Sequence, residues 1–413
     1  MQRVKIFVSA YACEPGLGSE IGVGWHWVLE MSKHFELWVL TRKSNQNNIE
    51  TWMNSQKEDY NIHFVYYDLP KALRFWKNGL HGVRTYYTIW QILTNTIVKR
   101  TMQENNIKIY HLLTYGNSLW KASSYGMRQF FVWGPTGGVD YISGKFTAYY
   151  GIKFKIREMI RRMVINTLNI NRGFQKRCKN ADLILCKSES MYEAVPDKYR
   201  HKAKIFTDCA VDENLLEKKQ SVQKEVIDFI TVGRLDAWRN FDVLVEAFTK
   251  AYAKNHHIRM KIVGDGDDAD RIKKLIRLRK MDKVIEMTGY VSIDAYYGFM
   301  READVVINPS YKEGAVTMAF DAMALGKPFI CIDTGGYTRY FSDKCAVILQ
   351  RGPREKLISD MTEAIEKMFD KNTRTAFSDY AYELAKQNTW DKKGKEICSE
   401  IKNAYRKNIE VNR

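Results

Sequence analysis

The chain has no uncharged run long enough to cross a bilayer. The longest in its first half, residues 85–98 between Arg84 and Lys99, falls short of the ~20 predominantly apolar residues that a helical span needs. Paired cysteines are also missing. The seven present (Cys13, Cys178, Cys186, Cys209, Cys331, Cys345 and Cys398) are odd in number, scattered, and contain no C-x-x-C pair, which reads as a reduced, intracellular protein. No small-residue cleavage site follows the opening MQRVKIFVSAYACEPG, so this segment reads as a first strand rather than a signal peptide. Internal repeats and low-complexity tracts are absent. Acid is scarce as well: 65 Lys and Arg against 48 Asp and Glu leave a net charge of +17. Such an excess favours anionic partners, whether nucleic acid, an acidic membrane surface or phosphorylated substrates.

What is present is an ordinary globular composition, 45% apolar and 27% charged over 413 residues, enough for two domains and a proper core in each. Short apolar runs alternate with longer amphipathic stretches, the pattern of parallel strands covered by helices. In the first half, strands are predicted at residues 4–9, 36–41, 62–67, 107–112, 129–133 and 183–186. A second series falls near 226–232, 259–263, 284–287, 305–307 and 329–332. The polar, lysine-rich stretch 196–223, with one short strand, is the junction between them. After a helix around 355–369 an amphipathic segment, 390–405, has no strand left to cover and is expected to pack elsewhere than on the second domain.

Four loops carry candidate chemistry. Gly16, Gly18 and Ser19 follow the first strand, where glycines let backbone N–H groups approach a phosphate at a helix start. A dinucleotide fingerprint is not met, since Ile21 stands where the third glycine belongs and Thr41-Arg42-Lys43 follow the next strand instead of an acid. Arg234 and Arg239, five residues apart in a strand-to-helix turn, are two guanidiniums able to reach one diphosphate. The Asp265-x-Asp267 pair in Gly264-Asp265-Gly266-Asp267-Asp268 reads as turn and helix-cap chemistry rather than a metal site. Glu313 sits at the end of a strand, and Asp321 lies eight residues later, a separation of ~12 Å along a helix. On this reading Gly314, Ala315, Val316 and Thr317 form the first helical turn, an anion seat bracketed by two acids on one helix edge.

Together, Gly233-Arg234-Leu235 with Arg239, Gly264-Asp265-Gly266, and the run from Glu313-Gly314 through Asp321-Ala322-Met323-Ala324 to Gly326 and Pro328 resemble the carboxyl-terminal half of family 4 retaining glycosyltransferases. The opening CEPGLGSEIGVGW, Tyr110-His111-Leu112-Leu113-Thr114 and Trp133-Gly134-Pro135-Thr136-Gly137-Gly138 resemble a subgroup of that family. The resemblance implies an α/β fold of GT-B type, with two Rossmann-like domains facing each other across a cleft and a C-terminal helix crossing back to the first domain. Residues 1–200 would be the acceptor-binding domain, joined by 390–413, and residues 201–389 the nucleotide-sugar-binding domain.

The implied activity is hexosyl transfer from a nucleotide-sugar with retention, using no cofactor and no metal. Arg234 and Arg239 would hold the donor diphosphate, Glu313 the transferred sugar, and His111 would lie near the reacting sugar. Gly16, Gly18, Ser19, Gly264, Val291, Gly314, Ala315, Val316, Thr317 and Asp321 would complete the donor site, with Asp321 on the ribose where the family usually has glutamate. The expected acceptor is a lipid-linked or oligosaccharide glycan in bacterial surface polysaccharide synthesis.

Residues 153–179 hold nine Lys or Arg and one acid, Glu158, so this stretch alone supplies +8. Lys153, Lys155, Arg157, Arg161 and Arg162, interleaved with apolar residues at helical spacing, are candidates for an anionic membrane or acceptor surface. Residues 71–100, with Trp76, Tyr86, Tyr87 and Trp90, are a second aromatic and basic candidate. The expected location is cytoplasmic, peripheral at the inner face of the cell membrane. Two competing classes are a nucleotide-sugar epimerase of the same fold and a nucleic-acid binder. The latter has no helix-turn-helix, zinc finger or RNP-like motif to support it.

Overall fold

The computed structural model describes residues 3–74, 76–77, 82–120, 129–147, 150–216, 224–314 and 316–411. It forms two compact units: Met1–Val139, Ile165–Asp208 and Trp390–Arg413 make the first, and Asp140–Val164 with Cys209–Thr389 make the second. The expected boundary at 200/201 thus lies beside an observed division at 208/209. Residues 140–164, expected with the first domain, make their contacts in the second. Their apolar side chains explain this: Ile142 and Phe154 belong to the core of the second unit.

The first unit runs β1 (Lys5–Ser9), α1 (Ser19–Ser32), β2 (Glu36–Arg42), α2 (Gln46–Ser55), β3 (Ile62–Tyr67), α3 (Val83–Leu93), α4 (Asn95–Glu104), β4 (Ile109–Leu112) and β5 (Phe130–Thr136). Helix α5 (Ile152–Asn166) follows. The first unit then continues through α6 (Arg172–Asn180), β6 (Leu183–Cys186), α7 (Glu189–Ala194), α8 (Asp197–Arg200) and β7 (Ala203–Ile205). Its sheet is parallel, in the order β3-β2-β1-β4-β5-β6-β7. Strands β1, β4, β5 and β6 are buried almost throughout, because helices cover both faces of such a sheet, and that is why they read as unbroken apolar runs.

The second unit comprises β8 (Ile227–Val232), α9 (Phe241–Lys254), β9 (Ile258–Val263), α10 (Ala269–Leu278), β10 (Ile285–Gly289), α11 (Ile293–Glu302), β11 (Val305–Asn308), α12 (Thr317–Ala324) and β12 (Phe329–Ile332). It ends with β13 (Ala346–Leu349), α13 (Arg354–Lys367) and α14 (Lys371–Ala385). The order is β10-β9-β8-β11-β12-β13, again all parallel. Strand β13 and helix α14 were not anticipated.

The last helix, α15 (Trp390–Val411), belongs to the first unit. Trp390 stacks on His26 and meets Trp27 edge-on, with ring centroids 4.9 and 5.1 Å apart. Gly394 lets the helix approach α1, since a Cβ there would stand 2.7 Å from the Cβ of Glu30. Ile397, Cys398 and Ile401 are buried. The orphan amphipathic segment therefore covers α1.

Both sheets are doubly wound. Strand order reverses between β1 and β4 in the first unit and between β8 and β11 in the second. At such a switch point the loops leaving the two strands diverge and open a crevice at their carboxyl ends. The candidate loops of each unit leave these strands.

Candidate functional site

In the second unit the loop after β8 carries Gly233, Arg234 and Arg239, and the loop after β11 carries Lys312, Glu313 and Gly314. Across the crevice the two loops are bound to one another. Asn240, in the left-handed region at φ 55°, donates its side-chain amide to the Pro309 carbonyl at 3.1 Å, and Tyr311 N–H donates to the Trp238 carbonyl at 3.3 Å. A third loop lies against the first. At Gly264, with φ 126°, a Cβ would stand 2.2 Å from the Gly233 carbonyl oxygen, so this close approach of two backbones admits only glycine.

Arg239 and Glu313 meet in this crevice, with Nη2 2.6 Å from Oε1. Asn308, the last residue of β11, donates its amide to Glu313 Oε2 and to Tyr337 Oη, both at 3.0 Å. Burial pushes the Glu313 carboxyl above its ordinary pKa, while Arg239 and the Asn308 hydrogen bond pull the other way. The guanidinium lies 4.7 Å from the Trp238 ring centroid, and its Nε is buried without a hydrogen-bond partner among the described residues. An arginine with an unspent donor beside a fixed carboxylate can accept an anion while the carboxylate grips hydroxyls.

The remaining expected residues fall as follows. Arg234 is half exposed, and its Nε and Nη2 lie 2.9 and 2.7 Å from Asp236 Oδ2. It leaves the same loop as Arg239 but is not in contact with Glu313. Helix α12 begins at Thr317 with Val316 as N-cap, so Glu313 and Gly314 precede the helix. Glu313 and Asp321 therefore do not share a helix edge, and Gly314 and Val316 are not its first turn. Ala315 lies outside the described residues. Gly314 is instead backed by Gly336, where a Cβ would stand 2.4 Å from the Gly314 carbonyl oxygen.

Asp321 is buried within α12 and accepts a 2.6 Å hydrogen bond from Tyr296 Oη. Burial drives its pKa up to about 7 against the pull of that hydrogen bond. Val291 lies between β10 and α11, half-buried. Asp265 accepts from the N–H of Gly266 at 2.8 Å, and Arg271 pairs with Asp268 at 2.6 Å, so these acids serve the turn and helix start. Among the described residues no cluster of His, Cys, Asp and Glu could hold a metal ion.

Residues 140–164 brace the Glu313 loop from within the same unit. Lys312 Nζ lies 2.7 Å from Glu158 Oε2, and Glu158 Oε1 accepts from the N–H of Ile142 at 2.7 Å. Tyr150 hydrogen-bonds Asn240, and Phe146 stacks on Tyr311 with centroids 6.0 Å apart. Glu158, Asn308, Tyr337, Tyr296 and Trp238 were not foreseen. Only Asn308 had a readable signal, as a polar residue ending an apolar strand at a switch point.

In the first unit Gly18 is the N-cap of α1, Ser19 adopts φ 58°, and a Cβ added at Gly16 would meet no atom of the described residues within 4 Å. Across that crevice, Thr114 Oγ1 accepts from the N–H of Ala12 at 3.0 Å, and Glu20 Oε1 accepts from the N–H of Gly116 at 3.1 Å. His111, on β4, is fully buried. Its Nε2 donates to the Gly134 carbonyl at 2.6 Å and its Nδ1 is enclosed without a partner among the described residues. Burial lowers its pKa to about 4, so the ring is neutral near pH 7, and in this conformation it presents no atom to solvent.

In the stretch 71–100 the described aromatics turn inward while Lys71, Arg84, Lys99 and Arg100 are exposed. Tyr86, Tyr87 and Trp90 are core residues; Tyr86 donates to Asp68 at 2.7 Å and Trp90 to the Tyr67 carbonyl at 2.9 Å. Residues 75 and 78–81 lie outside the described residues.

Against known proteins, residues 212–384 match the model of the glycosyl transferases group 1 family. The chain is 23% identical over 220 residues to an uncharacterized glycosyltransferase of Methanocaldococcus jannaschii, covering 53% of this chain and 59% of the relative. It is 24% identical over 378 residues to the poly(glycerol-phosphate) alpha-glucosyltransferase of Bacillus subtilis, covering 87% of this chain and 51% of that one. The chain thus spans less than two thirds of the length of these curated relatives. Among solved structures it is similar to Anabaena HepE in complex with UDP, with a TM-score of 0.61, 13% identity, and 97% and 100% of the two chains covered. The two doubly wound sheets are those of the GT-B fold, and within the second unit residues 212–384 match the glycosyl transferases group 1 model.

Proposed function

We propose that the protein transfers a sugar from a nucleotide-sugar to a glycan or lipid-linked acceptor in bacterial surface polysaccharide synthesis, with retention of anomeric configuration and without a metal. The observation that carries this reading is the Arg239–Glu313 contact at 2.6 Å, at the switch point of the unit that matches the family. A cation with an unspent donor beside a buried carboxylate suits a diphosphate flanked by sugar hydroxyls. The UDP bound to the Anabaena neighbour supports a nucleotide donor, and the poly(glycerol-phosphate) in the Bacillus relative's name supports a polymeric acceptor.

In this mechanism Arg239 holds the diphosphate. Arg234 joins it by exchanging Asp236 for phosphate, and Glu313 orients the transferred sugar. The acceptor hydroxyl attacks the anomeric carbon from the face the leaving group departs, the bond from that carbon to the diphosphate oxygen breaks, and the hydroxyl proton passes to the leaving phosphate. Fixed positive charge at that phosphate is the main catalytic contribution. We assign Asp321 to the ribose, with Tyr296 as the partner it must share. His111 stabilises the β4–β5 region through Gly134. Peripheral association with the inner face of the cell membrane would bring the enzyme to a lipid-linked acceptor.

The test is product analysis with UDP-, GDP- and ADP-sugars, with and without EDTA. Release of nucleoside diphosphate with a product of retained configuration, undiminished by EDTA, is expected. Free isomerised nucleotide-sugar would identify an epimerase, and loss of turnover in EDTA would overturn metal independence.

A further inference from the structure

Helix α5 has two apolar sides, and only one of them is used. Phe154 and Glu158 are buried against the second unit, Phe154 at 8% and Glu158 at 3% exposure. Ile152, Ile156, Met159 and Ile160 are 69%, 47%, 47% and 52% exposed. At about 100° per residue these four fall within an arc of about 100°, roughly opposite the buried side. Lys153 and Arg157 flank that arc on one edge and Lys155 on the other. Arg161 does not join them, because it turns toward the body of the unit and donates to the Asp140 carbonyl at 2.7 Å.

A helix fixed by one face that presents isoleucine and methionine outward between rows of cations has the chemistry of an interfacial element: an apolar ridge for the acyl boundary and flanking charge for lipid phosphates. Nucleic acid matches the cations but offers no medium for the ridge.

We propose that the outward face of α5, formed by Ile152, Ile156, Met159 and Ile160 with Lys153, Lys155 and Arg157, docks on an anionic lipid bilayer. The inference rests on the membrane-side location proposed above and names the surface responsible. That surface is tied to the candidate site within one unit, because Glu158, on the inward side of the same helix, pairs with Lys312 next to Glu313.

The experiment is co-sedimentation of the full chain with phosphatidylcholine vesicles and with vesicles containing about 30% phosphatidylglycerol, at low and high salt. Binding to the anionic vesicles only, weakened by salt, is expected. The variant Ile156→Asn/Met159→Asn/Ile160→Asn should bind at least about tenfold more weakly. Lys153→Glu/Lys155→Glu/Arg157→Glu should lose about fivefold or more for each charge. Both should melt close to wild type, since the altered side chains are exposed. Wild-type protein that binds neither vesicle overturns both the surface and the membrane-side location. Wild-type binding that both variants retain overturns the assignment to α5 and leaves the location standing. Variants that lose self-association or oligonucleotide binding rather than vesicle binding would show a second copy or nucleic acid as the occupant, and would overturn it too.

Discussion

The two switch points use the same scaffold but arrange their charges differently: Arg239 pairs directly with Glu313 in the second, while in the first Glu20 accepts a backbone N–H and Arg42 lies over an aromatic ring. In the second unit the crevice holds Arg239 against Glu313, with the Lys312–Glu158 pair beneath the loop. In the first, His111 is buried and neutral near pH 7, Thr114 accepts from the Ala12 N–H and Glu20 from the Gly116 N–H, and Tyr11 lies edge-on to Tyr87 and Tyr115 at 5.3 and 4.6 Å with the Arg42 guanidinium 5.4 Å from its centroid. Doubly wound topology thus fixes where a crevice opens, and the loops decide what it binds. A guanidinium paired with a buried carboxylate across two loops suits the diphosphate of the donor proposed above, whereas in the first crevice aromatic rings and hydroxyls accompany the charged groups.

The sharpest way to break this contrast is to remove charge from the second crevice. Glu313→Ala and Arg234→Ala are each expected to cut turnover by about 10²-fold or more; half-exposed Arg234→Ala should melt near wild type, whereas Glu313→Ala, which leaves Arg239 without its partner, should also lower melting. Near-normal transfer by both, in a steady-state assay, would remove the chemistry from this crevice. Next in size is the brace: Glu158→Ala leaves Lys312 buried without its partner and should cost about 3–5 kcal/mol in denaturant unfolding. Adding Lys312→Met should restore most of that loss. If the double variant is no better than the single one, the pair does not stabilise the loop.

The units should also respond oppositely to pH. Asp321, raised to about 7 from 3.8, holds more protons folded than unfolded between these values, so its unit loses stability as pH rises from about 4 to 7. The effect is up to roughly 4 kcal/mol, and Asp321→Asn should abolish the slope. His111, lowered to about 4 from 6.5, holds fewer protons folded than unfolded, so the first unit loses stability as pH falls from 6.5 to 4, by roughly 3 kcal/mol. His111→Gln should flatten that limb. Unfolding followed by hydrogen exchange in each unit separates the two slopes; slopes of equal sign would contradict the contrast.

Much of this was legible in the sequence, for reasons particular residues make plain. Buried parallel strands such as Phe329–Ile332 are continuous apolar runs, and their limits were read closely. Strand β13 was passed over although Ala346–Leu349 is an apolar run as long as β12. The motif around Glu313 was readable from residue type and spacing. Its helix start was placed early, because a glycine-containing loop and a helical first turn look alike without coordinates. Tyr337 and Glu158 were out of reach, since Tyr337 meets Asn308 and Glu158 meets Lys312 from distant parts of the chain. For α5, periodicity revealed an apolar stripe but not which side faces the core. Phe154 and Glu158 decide that only when the tertiary contacts are known.

The most direct measurement of the central claim, that Arg239 and Glu313 form a nucleotide-sugar seat, is a thermal-shift titration of wild type and Arg239→Ala with UDP-, GDP- and ADP-sugars. At 100 times its dissociation constant one donor should add about 2.7 kcal/mol to wild type, and the variant should lose that gain. Equal stabilisation of both proteins, or of neither by any donor, would contradict the account.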